Sequence, residues 1–99
     1  MRIRYAEIAH IELNAACDWY ERQHAGLGAR FRRDVRESTL RIAASPLLFP
    51  GELVDVRRYV MNRFPFTLRY VLRDDVVWVV AVSHQHRLPD YWVDRIQDQ

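Results

Sequence analysis

The stretch from Arg57 to Arg95 constrains the fold most. Two apolar, β-branched runs, Phe66 to Leu72 and Val76 to Val82, are separated only by Arg73-Asp74-Asp75. Runs of this length joined by so tight a polar link form an antiparallel hairpin. In the first run Phe66, Leu68, Tyr70 and Leu72 alternate with Thr67, Arg69 and Val71, the period of a strand with two unlike faces. The second run is nearly all apolar, as expected of a central strand covered on much of both faces. Directly after it comes a dense cluster of His84, His86, Arg87, Tyr91, Trp92 and Arg95.

The rest of the chain supplies partners for that hairpin. Arg2 to Tyr5 alternates polar and apolar and reads as a short first strand. Ala6 to His24 contains no Pro or Gly and reads as a helix. At 100° per residue Ile8, Ile11, Ala15 and Trp19 fall on one stripe, and Leu13, Cys17 and Tyr20 widen the apolar arc. So wide an arc predicts a helix covered on two sides, by a second helix and by a sheet. Gly26 and Gly28 end it. A second helix is expected from Leu27 to Ala44, with Leu27, Phe31, Val35, Ser38 and Ile42 inward and Arg32, Arg33 and Arg36 outward. The short connection makes the two an antiparallel α-hairpin. Ser45-Pro46 closes it, Pro50-Gly51 marks a turn, and Leu53 to Tyr59 alternates as a further strand. The expected fold is α+β, in the order β-α-α-β-β-β. An α-hairpin packs on one face of a mostly antiparallel sheet, with a short helical tail from Pro89.

At 99 residues the chain has room for one modest core, so residues 1–99 are taken as one domain. No apolar run reaches the roughly 20 residues of a membrane span, and the first residues lack the apolar core of a signal peptide. A single cysteine, Cys17, allows no internal disulfide, which points to the cytoplasm. All 15 basic residues are arginine, and with no lysine present Schiff-base and lysine general-base chemistry are excluded. Arginine favours bidentate contacts to phosphate or carboxylate.

Arg57, Arg58, Arg63 and Arg69 come from the expected sheet and its loops, and Arg87 from the tail. Tyr59, Tyr70, Tyr91 and Trp92 are interleaved with them. If the two helices cover one face of the sheet, the other is left for function. Arg57, Arg63 and Arg69 would lie on it and His84, Arg87 and Tyr91 on its rim. Charge for phosphates and ring faces for bases suit single-stranded RNA. The same cations suit an acidic protein segment, or simply a solvated face. His84 at a strand end is a candidate acid or base, because its free pKa lies near neutrality. His84 and His86 share a face, but no Cys, Asp or Glu follows at ligand spacing, so neither a metal nor another cofactor is expected. Gly-rich phosphate loops, HExxH, CxxC and nucleophile elbows are absent from the sequence.

The order of several fragments resembles the RelE/ParE superfamily of type II toxin-antitoxin toxins, or plasmid stabilisation proteins. These are Ala16-Cys17-Asp18-Trp19-Tyr20-Glu21, Gly26-Leu27-Gly28, Ser45-Pro46, Val56-Arg57-Arg58-Tyr59, Arg63-Phe64-Pro65-Phe66, Ala81-Val82-Ser83-His84 and Arg87-Leu88-Pro89-Asp90-Tyr91-Trp92. The resemblance implies a growth-inhibiting toxin, bound and neutralised by a cognate antitoxin in a hetero-oligomer. RelE-like members cleave mRNA on the ribosome as metal-independent endoribonucleases, ParE-like members inhibit DNA gyrase without cutting nucleic acid, and a degenerate relative that only binds its antitoxin is the third alternative. On the nuclease branch the matching positions are His84, Arg87, Tyr91 and Arg63 for catalysis and Arg57, Arg58 and Arg69 for binding. His84 or Tyr91 would move the proton, and Arg63, Arg69 and Arg87 would stabilise the phosphorane. The sequence departs from the best-known ribosome-dependent nucleases in having no lysine.

Overall fold

The computed structural model describes residues 1–86 and 91–98. The elements run β1 (Arg2–Tyr5), α1 (Glu7–Gln23), α2 (Leu27–Ala44), β2 (Arg57–Val60), β3 (Phe66–Arg73) and β4 (Val76–His84), followed by a 3-10 helix at Val93–Asp98. The sheet order is β1-β4-β3-β2. β1 lies parallel to the first half of β4, and the other two pairings are antiparallel. The expected α+β order is therefore present. The β3–β4 turn is made by Asp74 and Asp75, both at positive φ (51° and 62°). Two such residues give a hairpin the twist its strands require, and aspartate tolerates that region better than most side chains.

The helical hairpin covers one face. Phe31, Val35 and Ile42 of α2 are buried against Leu68 and Tyr70 of β3 and Val77 and Val79 of β4. At one end Tyr20, Phe31, Phe64 and Phe66 pack ring against ring, with centroids 4.8–6.1 Å apart. The link between the helices depends on two glycines. Gly26 sits at φ 87°. A Cβ on Gly28 would lie 2.5 Å from the Cys17 carbonyl oxygen, so only glycine lets the helices approach this closely. The Glu21 carboxylate accepts from the Gly26 and Gly28 amides at 2.9 and 3.0 Å and so caps α2.

Three sequence expectations are corrected. The stripe of Ile8, Ile11, Ala15 and Trp19 is exposed, and α1 buries Ala9, Leu13 and Cys17 instead. Periodicity locates an apolar arc, but the seam within it falls where small residues permit close approach. Second, β2 begins at Arg57 rather than Leu53. Residues 53–55 form a turn in which the Val56 amide donates to Leu53 O, with Val54 at φ 57°.

The third correction concerns the far face of the sheet, which is not free. Trp92 and Ile96 pack on Val56, Val71, Val80 and Ala81 as a second core. This face gains a residue from a bulge: Arg69 pairs with Ala81 and Tyr70 with Val79, leaving Val80 extra. Val79 and Val82 therefore face the helices while Val80 and Ala81 face the tail. The tail is helical over Val93–Asp98, Tyr91 and Trp92 form a turn before it where helix was expected, and residues 89–90 lie outside the described residues.

Candidate functional site

Strand pairing decides which cations meet. Arg57 shares the helix side with Tyr59, and its guanidinium donates to the carbonyls of Leu47 and Phe49 at 3.2 and 2.7 Å. It clamps the segment before β2. Arg63, in the β2–β3 loop, also turns to the helix side and meets Asp34 of α2 at 3.4 Å. Arg58 and Arg69 point the other way. The seven expected site residues therefore do not form one surface, contrary to the sequence expectation for Arg57, Arg63 and Arg69. Arg87 lies outside the described residues.

Arg58, Arg69 and His84 do come together. They line a cleft of about 220 Å³ with Glu52, Thr67 and Ser83 at the open end of the far face. Arg69 is already engaged there. Its Nε donates to Glu52 at 2.8 Å, its Nη1 donates to the Ser83 hydroxyl at 3.0 Å, and its guanidinium lies 5.4 Å from the Trp92 ring centre. The His84 ring stands edge-on to Phe66, with His86 beside it. Its Nδ1 accepts from the His86 amide at 3.1 Å, leaving Nε2 as the ring's other nitrogen.

Tyr91 belongs to a different cluster, built around Glu12. This carboxylate on α1 accepts from the Tyr91 hydroxyl at 2.9 Å and from both terminal nitrogens of Arg95 at 2.9 and 3.0 Å. It also accepts from the Val82 amide at 2.9 Å, while Arg95 donates to the Val80 carbonyl at 3.0 Å. β1 pairs with β4 only as far as Val79. Beyond it, the Glu12–Arg95 pair takes up a ladder donor and a ladder acceptor of β4 that a longer neighbouring strand would have satisfied. Burial, only partly offset by a hydrogen bond from Ser83, pushes the Tyr91 phenol above its usual range, and the Glu12 charge adds to the effect. The phenol is a hydrogen-bond donor to Glu12 here.

Sequence reasoning missed Glu12, Glu52 and Ser83. For Glu12 a signal was present: a carboxylate three residues after Ala9 and four before Ala16, inside the apolar arc of α1. Glu52 offered none, since only the turn at residues 53–55 brings it back to Arg69. The cleft thus holds two arginines, one of them already paired with Glu52, and the Glu12 cluster ties the tail to α1 and β4. Among the described residues no group of three or more His, Cys, Asp or Glu side chains is placed to hold a metal, and no helix is long and apolar enough to cross a membrane.

Comparison with known proteins fits this architecture. A family model described as "ParE toxin of type II toxin-antitoxin system, parDE" matches residues 3–89. The fold is similar to that of a chain solved in the chromosomal ParDE toxin-antitoxin system from P. aeruginosa. The TM-score is 0.63 at 16% identity, over 85% of this chain and 95% of that one. No curated protein matches the sequence.

Proposed function

Because the chain belongs to the ParE toxin family of type II toxin-antitoxin systems, we propose that it inhibits growth by gripping a protein target and is not a nuclease. One observation carries this reading. The side chains that mRNA cleavage would need are divided among separate structural tasks. Arg57 holds backbone carbonyls, Arg63 turns to Asp34 on the helix side, and the Tyr91 hydroxyl is engaged by Glu12. Arg69, which would stabilise a phosphorane, faces Glu52 instead. DNA gyrase, the target of ParE-like toxins, is the target proposed here. A cognate antitoxin is the proposed neutralising partner and the cytoplasm the proposed place of action.

Ribosome-dependent mRNA cleavage is the second reading, and it rests on the meeting of Arg58, Arg69 and His84 in one cleft. Induced expression with parallel readout of ribosome-bound mRNA ends and of plasmid topology separates the two. Gyrase inhibition predicts altered supercoiling or broken DNA with intact mRNA, and undiminished toxicity of the H84A R87A double variant. New mRNA ends that vanish in that variant would replace this reading with the nuclease one.

A further inference from the structure

We infer that the far-face cleft is a docking site for a single carboxylate side chain of a partner protein, held by Arg58 beside Arg69. The inference rests on the proposal that this toxin works through protein contacts, and it adds the chemistry by which one such contact is made.

Arg58 and Arg69 are direct cross-strand partners on β2 and β3. Like charges placed opposite each other destabilise a sheet. Arg69 is relieved by Glu52 at 2.8 Å. Arg58 is half-buried yet has no acceptor and no ion-pair partner among the described residues. Among the described residues, two guanidinium groups and one carboxylate leave the cleft one anion short. The Thr67 hydroxyl in the same cleft is also without a partner among the described residues, and so offers a neutral donor beside the missing charge.

Surroundings favour one class of anion. The cleft, about 220 Å³ and open to solvent, is large enough to take a single carboxylate side chain. A nucleic-acid track needs several cations in succession along the backbone. Here Arg57 and Arg63 turn to the opposite side of the sheet. Glu52 shows within this molecule how a carboxylate seats in the cleft. Val60, half exposed on its rim, supplies an apolar contact for the residue next to the incoming acid.

The test uses the full ¹⁵N-labelled chain, a capped tetraglutamate peptide and an oligouridine RNA, followed by NMR. The peptide should shift the Arg58 and Arg69 Nε–H resonances and the Thr67 amide. R58Q should weaken peptide binding about tenfold or more, the loss expected for a charge-assisted hydrogen bond. R33Q, on the exposed outer side of α2, should leave it unchanged. R58Q should also melt at or above the parent temperature, because it removes the cross-strand repulsion. Absence of the peptide shifts would overturn the site. So would a lower melting temperature of R58Q, which would give Arg58 a structural role, or RNA moving the same resonances at lower concentration than the peptide. Gyrase inhibition without peptide shifts would remove this site alone, whereas mRNA cleavage alongside peptide shifts would remove the gyrase reading alone.

Discussion

The helix-side face of the sheet buries Leu68, Tyr70, Val77 and Val79 beneath two full helices. The far face buries Val56, Val71, Val80 and Ala81, among the described residues, beneath Trp92 and Ile96 with Tyr91 and Val93 beside them. The first cover is held by area and ring packing. The second is held at a point, where Glu12 gathers Tyr91, Arg95 and the Val82 amide. The polar anchor adds to this cover because a short terminal segment buries less apolar surface than two full helices. Where the tail's cover stops, the far face opens into the arginine cleft. One sheet thus carries a thick apolar cover on one side and, on the other, the cleft proposed for recognition.

The largest expected effect comes from breaking the helix-side cover. Phe31 is fully buried among Tyr20, Phe64 and Phe66. Phe31→Ala should cost about 3–5 kcal/mol in urea unfolding, the usual result of deleting a core ring. A loss below about 1 kcal/mol would mean that the aromatic cluster is not the keystone of this face.

Glu12→Ala attacks the other side. It strands the Arg95 guanidinium and leaves the Val82 amide without its acceptor. Arg95 keeps the Val80 carbonyl and some solvent. The expected cost is therefore about 2–3 kcal/mol, below that of breaking a fully buried pair. Amide exchange should accelerate over residues 92–96 while Leu68 and Tyr70 stay protected. Equal acceleration on both faces would show that the two covers unfold as one unit.

A smaller effect belongs to the tyrosines. Burial raises the phenol pKa of Tyr5, Tyr20 and Tyr70 on the helix side and of Tyr91 on the far side. A raised folded pKa means that the native state holds its proton when the unfolded chain has released it. Their contribution is complete below the unfolded value of about 10 and is lost as pH rises above it. Stability should fall with pH from that point, and Tyr91→Phe should reduce the slope only slightly, since three of the four phenols remain. A slope unchanged by pH up to strong alkali would contradict the burial of these rings.

Much of the fold was legible before any coordinates. The hairpin announced itself through the spacing of Phe66–Leu72 and Val76–Val82 about Asp74-Asp75, and α2 through Phe31, Val35, Ser38 and Ile42, all of which are buried. Turn chemistry and periodicity are local properties, so a single sequence carries them. The candidate site was legible only in its ingredients. Arg69 and His84 were expected on one face and its rim and do share the cleft, whereas Arg57 and Arg63, expected beside them, lie on the helix side, and Arg58 takes the place beside Arg69.

What the sequence by itself determined is the set of elements, the all-arginine chemistry and the turn that pairs β3 with β4. Tertiary structure alone decided which side of α1 is buried, since an arc containing both Ile8 and Leu13 has more than one way to pack. It also decided the extra Val80 in β4, invisible in a run where every residue is apolar. And it decided that Glu12, 83 residues from Arg95, would fasten the tail across the sheet. Contacts at such separation depend on how elements pack in three dimensions, and neither periodicity nor composition records that.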